Sequence, residues 1–231
     1  MSVRMKKARE RIDATKDSYS LPDGLALVVQ IAGECKLKFD ETVEVALKLG
    51  VDPRQSNEQI RMAVQFPHGL GKVFRVAVFA EGDQAIAAEK AGADRVGMQD
   101  LADEMNQGKL DYDVVIAHQS CMSLVGKLGK VLGTKGLMPN PKVGTVAEQV
   151  GPAVQKAKAG QAQLRTDKAG IIHCPVGKVS FGAEKLLDNI KHLVDEIKRA
   201  KPASAKGVYL QGVVLATSMG PGVRVDAVSL R

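Results

Sequence analysis

The chain has 231 residues, 45% of them hydrophobic, with 33 Lys and Arg against 26 Asp and Glu for a net charge of +7. That is long enough for two cores, and no apolar run nears the roughly 18 residues of a transmembrane helix, which excludes a helical membrane protein. With no Trp, 3 Tyr and 5 Phe, it also lacks the aromatic residues for an extended platform on which single-stranded nucleic acid stacks.

Residues 1–33 read as two helices. The first, in MSVRMKKARERIDATK, is basic. No apolar segment follows its cations, and Glu10 and Asp13 interrupt what a transit peptide would keep free of acids, so a cytoplasmic protein is expected. The second helix opens at Pro22, where the missing N–H is harmless. In KFDETVEVAL, Phe39, Val43, Val45 and Leu47 alternate with Asp40, Thr42 and Glu44, the period of a half-buried strand. A turn at VDPRQS, a short helix capped by Ser56 and a second strand over 61–66 follow, and PHGLGK (67–72) reads as a linker.

From Val73 the pattern changes to strand and helix in alternation: VFRVAVF with DQAIAAEKAG, DRVG with DLADEMNQ, and DYDVVIAH with SCMSLVGKLG. The strands are short continuous apolar runs, as in a parallel sheet covered on both faces. GTKGLMPNPKVGT (133–145) then forms a bent loop that Pro139 and Pro141 stiffen by holding Met138 and Asn140 extended. A helix is expected from about Ala147 to Ala159, ended by Gly160.

Residues 161–180 read as a hairpin turning at 168–170. The next helix presents Ala183, Leu186, Leu187, Ile190, Leu193, Val194 and Ile197 on one face and stops before Pro202. GVYLQGVVLATS is a final long strand running into the turn MGPG.

Neither flank alone makes a comfortable core, whereas together they supply antiparallel strands and several helices. The expected architecture is α/β with two domains: a discontinuous α+β sandwich from 1–68 and 160–231, and an inserted Rossmann-like α/β domain over 69–159. Charge follows the same division. Residues 73–158 carry 10 cations and 10 acids, so the excess sits on the flanks. Within the insert, 73–113 hold 4 cations against 9 acids and 127–158 hold 6 against one, which makes the side bearing the GLMPNPK loop basic.

Catalytic and cofactor patterns fail one by one. Phe66, Cys121 and Leu124 stand where a Walker loop needs glycine before Gly71-Lys72, Gly126-Lys127 and Gly129-Lys130, and Phe74 breaks the dinucleotide fingerprint after Gly69 and Gly71. His118 with Cys121, and His173 beside Cys174, lack a second ligand pair for a metal, and no nucleophile motif surrounds Cys121 or Cys174. Cys35, Cys121 and Cys174 are odd in number and far apart, as expected for free, mostly buried thiols in a reducing compartment. No cofactor and no metal are expected. What remains is recognition of structured RNA by shape and phosphate contacts. The residues gathered for it are Lys36, Lys38, Phe39, Thr42, Arg54, Arg165, Lys168 and 217–220, where SMGPG lets another chain approach closely. Core packing is the competing reading of Phe39.

KFDETVEVALKLGVDPRQS, PHGLGK, AGAD with VGM, GLMPNPKVGTV, KAG, RTDK, GIIHCPVGKVSF, KGVY and TSMGPGV occur in the order in which they occur in the family of the large-subunit ribosomal protein L-one, the protein of the mobile lateral stalk. The resemblance covers nearly the whole chain. It implies the same two-domain fold, with the RNA surface on the discontinuous domain at Lys38, Phe39, Thr42, Arg165, Lys168, Thr217, Ser218, Met219 and Gly220. It also implies the partners: large-subunit ribosomal RNA, deacylated tRNA leaving the exit site, and the messenger of its own operon, whose translation it would repress. Lys135 and Lys142 become possible tRNA or RNA contacts. The chain departs from the family at Ser218, where Thr is common, and at Thr134-Lys135, where Pro-Arg is common; lysine cannot make arginine's bidentate phosphate contact. The rival from another class is an α/β enzyme binding a nucleotide or phosphate ester in the insert, which nucleotide-induced thermal shifts would reveal.

Overall fold

The computed structural model describes residues 3–13, 15–35, 37–55 and 57–230. In chain order the elements are α1 (Val3–Glu10), α2 (Leu21–Cys35), β1 (Thr42–Leu49), β2 (Arg61–Gln65), β3 (Val76–Phe79), α3 (Asp83–Lys90), β4 (Arg95–Gly97), α4 (Gln99–Asn106) and β5 (Val114–His118). They continue with α5 (Met122–Lys127), α6 (Gly129–Lys135), β6 (Val146–Ala147), α7 (Val150–Lys158), β7 (Gln161–Arg165), β8 (Ile171–Lys178), α8 (Ala183–Arg199), β9 (Leu210–Thr217) and β10 (Val223–Val225). The chain divides into two compact units, Met1–Gly71 with Ala162–Arg231, and Lys72–Gln161. The helix expected to start at Ser56 falls on a residue outside those described, and its neighbours form turns.

In the unit of the chain ends, β10, β9, β1 and β8 form an antiparallel sheet in that order, so a strand from the first third of the chain lies between two from the last. One face buries Val43, Val45 and Leu47 of β1, Ile172, Cys174 and Val176 of β8, and Val213 and Leu215 of β9. The amphipathic helices supply the other side of this core with Leu25, Val28 and Ile31 of α2 and Leu186, Ile190, Leu193 and Ile197 of α8. Helix α2 starts where Ser20 Oγ accepts the Asp23 N–H at 3.3 Å, an N-cap that places Pro22 in the first turn. Helix α8 departs from expectation at two positions: Ala183, at its first turn, is exposed, and Asn189 is buried in the middle of the apolar face.

The expected hairpin over 161–180 is not one ladder. Its turn exists, with Asp167 Oδ1 accepting the Ala169 and Ile171 N–H groups at 2.8 Å each. Beyond the single bridge Thr166↔Ile172 the strands part, β7 pairing with β2 and β8 with β1. Non-local pairing wins because β8 buries alternate side chains on the helix-covered face only in the register that β1 offers. The segment 67–71, read as a linker, is anchored: Leu70 is buried, the His68 N–H donates to Asn189 Oδ1 at 3.3 Å, and Asn189 Nδ2 donates to the Gly69 carbonyl at 3.1 Å.

The other unit is a parallel sheet of order β4-β3-β5-β6. Its strands explain their continuous apolar runs, because alternate residues enter two different cores. Ala77, Phe79, Val115 and Ala117 pack with α4, α5 and α6 through Leu101, Met105, Val125 and Leu132. Val76, Val78, Val114 and Ile116 pack with α3 and α7 through Ala88, Val150 and Val154. Helix α7 begins at Val150 rather than Ala147, since Val146 and Ala147 are taken by β6 against β5.

Candidate nucleic-acid interface

Strand β1 begins at Thr42, so Phe39 is outside it and 54% exposed, which removes core packing as its explanation. The segment before the strand is held by side chains. Asp40 accepts the Ser180 N–H at 3.2 Å and the Ser180 hydroxyl at 2.6 Å, and the Val179 N–H donates to the Glu41 carbonyl at 2.9 Å. Phe39 thereby borders a hollow of about 220 Å³ with Ala32, Gly33 and Leu37. Lys38 beside it is exposed.

Across the sheet end the 217–220 turn closes on β1. Ser218 N–H donates to the Thr42 carbonyl at 3.0 Å, and Ser218 Oγ accepts the Thr42 N–H at 3.1 Å. The hydroxyl is therefore engaged in extending the β1–β9 ladder. Thr217 is inside, 5% exposed, and a Cβ at Gly220 would collide with its hydroxyl oxygen. Met219 is the residue that projects, 49% exposed.

Three residues absent from the sequence reading complete this end. Lys178 Nζ donates to Thr42 Oγ1 at 2.8 Å and to the Asp40 carbonyl at 3.3 Å. Glu41, only 4% exposed, accepts the Met219 N–H on Oε2 at 3.0 Å. Arg4 of α1 donates from Nη2 to the Met219 carbonyl at 3.3 Å. A signal for Glu41 was present: it shares its strand parity with Val43, Val45 and Leu47, which marks it as inward-facing. Arg4 had none, being 215 positions from its partner.

Arg165 and Lys168 do not join this group. In the β1–β8 register Thr42 faces Lys178 while Lys48 faces Ile171, so the turn holding Lys168 lies at the opposite strand end, about 20 Å away at ~3.4 Å per residue. Arg54 sits at that end too, in the turn that follows β1, with its N–H donated to Asp52 Oδ1 at 3.0 Å. The structure thus resolves the gathered residues into two groups, one at the Thr42 end of β1 and one near its Lys48 end. Lys36 lies outside the described residues.

In the other unit, Lys135 belongs to the last turn of α6 rather than to a loop, and Gly136 ends that helix in the left-handed conformation (φ 71°) with Leu137 N–H donating to the Leu132 carbonyl. The loop is braced by more than its prolines. Asn140 N–H donates to Thr145 Oγ1 at 2.7 Å, the Lys142 N–H donates to Asn140 Oδ1 at 2.8 Å, and Pro139 is buried. Lys135 and Lys142 are exposed. At the carboxyl end of β3, where a nucleotide-binding sheet places phosphate, stand Glu81 and Asp83, the latter in the first turn of α3. Their charge repels the ligand such a site is built to attract.

A held sheet end that presents an exposed lysine with a projecting Met and Phe belongs to the class of α/β proteins with a surface suited to binding. Residues 31–221 match the model of the Ribosomal protein L1p/L10e family, and the chain belongs to that family. It is 54% identical over 230 residues to the large ribosomal subunit protein uL1 of Pseudomonas syringae pv. tomato, covering 100% of this chain and 98% of the relative. The uL1 of Saccharophagus degradans is 50% identical with the same coverage, and that of Solidesulfovibrio magneticus 50% identical over 98% of this chain and 94% of its own. The chain is a ribosomal protein of the translation machinery, and not an enzyme.

Proposed function

We propose that this chain is a structural constituent of the large ribosomal subunit in the cytoplasm, where it binds folded ribosomal RNA of the lateral stalk. The contacts are assigned to the unit of the chain ends: Lys38, Phe39 and Met219 touch RNA, while Thr42, Ser218, Thr217 and Gly220 shape the surface that presents them. Arg165 and Lys168 take phosphates of a second stretch about 20 Å along the same RNA. A messenger segment of its own operon that folds like the ribosomal site binds there in turn and is repressed. The other unit turns Lys135 and Lys142 toward exit-site tRNA and assists its release.

The observation that carries this reading is the end of β1, where two large apolar side chains, Phe39 and Met219, and the Lys38 side chain stand exposed on backbone held by hydrogen bonds to Glu41, which is buried, and to Ser218. Large apolar side chains exposed together at a held strand end are a common mark of an interaction surface. The relatives' name, a protein of the large ribosomal subunit, supplies the identity of the partner. Binding is tested with a stalk-region ribosomal RNA transcript and an unrelated duplex over a range of salt. The logarithm of affinity falls by roughly 0.7 to 0.9 per log unit of salt for each phosphate neutralised. Met219→Ala weakens the stalk transcript by roughly 1 to 3 kcal/mol and leaves the unrelated duplex unchanged; equal losses on both RNAs would reject the assignment. For tRNA, Lys135→Glu with Lys142→Glu slows exit-site release in reconstituted ribosomes, and an unchanged rate removes that role.

A further inference from the structure

We infer that Glu41 and Arg4 are positioning residues that clamp the Met219 backbone, one at its N–H and the other at its carbonyl, and thereby set the RNA selectivity of the 217–220 turn; the inference rests on the reading of Met219 as an RNA contact. Each residue other than proline offers one main-chain donor and one acceptor, the two belonging to successive peptide units. At Met219 both are taken by side chains from distant parts of the chain: the N–H by Glu41 Oε2 at 3.0 Å and the carbonyl by Arg4 Nη2 at 3.3 Å. Glu41 immediately precedes β1 and is buried, which restricts the positions its carboxylate can take. Arg4 comes from α1, which packs on α2.

The flanking N–H groups are also engaged, Ser218 with the Thr42 carbonyl and Gly220 with the Thr217 carbonyl at 3.1 Å. The three N–H groups at 218–220 are therefore satisfied within the protein, and the turn does not recognise RNA through those donors. Its selectivity comes from the pose of the Met219 side chain. A pose fixed in advance spares the complex the ordering of a mobile loop, and it penalises an RNA whose groove does not fit.

Arg4 as a clamp and Arg4 as a phosphate contact make opposite demands on salt dependence. The test uses the full chain, the stalk-region transcript and an unrelated duplex of equal length, with thermal melting to verify folding. Under the clamp, Arg4→Ala loses about tenfold in affinity for the stalk transcript, the size of a lost specificity contact. It keeps the duplex affinity and the salt slope, while Arg4→Lys, which can still donate to the Met219 carbonyl, recovers part of the loss. Glu41→Gln retains an acceptor for the Met219 N–H and stays close to the parent, whereas Glu41→Ala falls with Arg4→Ala. Should Glu41→Ala not fold, the Arg4 pair decides alone. A salt slope reduced by about 0.7 to 0.9 with parallel losses on both RNAs makes Arg4 a phosphate contact and overturns the clamp. Unchanged selectivity in Arg4→Ala, with selectivity lost in Met219→Ala, overturns it as well. If Met219→Ala also leaves selectivity intact, it is the underlying assignment of the interface that fails.

Discussion

Asn189 shows how much one polar side chain decides in this fold. It is 0% exposed, and its amide donates to the Val176 carbonyl at 2.7 Å and the Gly69 carbonyl at 3.1 Å while accepting the His68 N–H. One residue thus ties α8 to β8 and to the segment that leaves the unit. Asn189→Leu orphans three backbone groups at about 1 to 3 kcal/mol each where no water replaces the amide. A fall of roughly 3 kcal/mol or more in unfolding free energy, read from denaturant midpoints, is expected. At the same scale, burial pushes the Cys174 thiol up to about 12, with the Glu44 charge adding to the shift. The reactive thiolate is then scarce at neutral pH. Alkylation of the native chain at pH 8 should label Cys35, which is only partly buried, well before Cys174. Asn189 was half-legible in the sequence, lying between Leu186 and Ile190 on the apolar stripe. Arg4 was not legible, because no local pattern reports a contact across most of the chain.

Elements were read most reliably where one period dominated. The alternation of β1, the apolar runs of β3 and β5 and the stripe of α8 all gave the right element. Errors came where a choice of partner was involved. The turn at Asp167 has local chemistry and was visible, yet which strands its two arms join depends on distant segments, and the expected hairpin gave way to β2–β7 and β1–β8 pairing. For the same reason the sequence groups Lys168 with Thr42, whereas register sets them at opposite strand ends. Gly170 is the point where that turn meets β1: its φ is 74°, and a Cβ there would lie 3.2 Å from the Val51 carbonyl oxygen and 3.3 Å from that of Leu49. Gly170→Ala should therefore destabilise by about 1 to 3 kcal/mol. It should weaken the Lys168 end of the interface more than the Met219 end, which footprinting of the bound RNA separates.

At the scale of the molecule, the contrast between alternating and continuous apolar runs marked the antiparallel and parallel sheets, and family motifs supplied the polyanion partner that a net charge of +7 leaves open. Part of the acid sensitivity is expected in the Lys72–Gln161 unit. Burial raises the Asp94 and Asp113 carboxyls, but Lys158 at 2.6 Å with the Val76 N–H, and Lys72 at 2.7 Å with the Arg75 N–H, hold both below the usual carboxylate value. A folded-state pKa below the unfolded one gives stability that is present above about pH 4 and lost as pH falls through the folded value. The melting temperature should stay level between pH 7 and 5 and drop below about pH 4, and Lys72→Met with Lys158→Met should flatten the drop.

The seat of β1 between β8 and β9 has a temporal consequence. A ribosome making this chain releases β1 long before either neighbour exists, so its apolar edge waits through the synthesis of more than a hundred residues while the parallel-sheet unit, whose contacts are contiguous in sequence, is already able to condense. Nascent chains stalled before β8 should carry one finished globule and an unpaired N-terminal strand, the species on which a holdase would act.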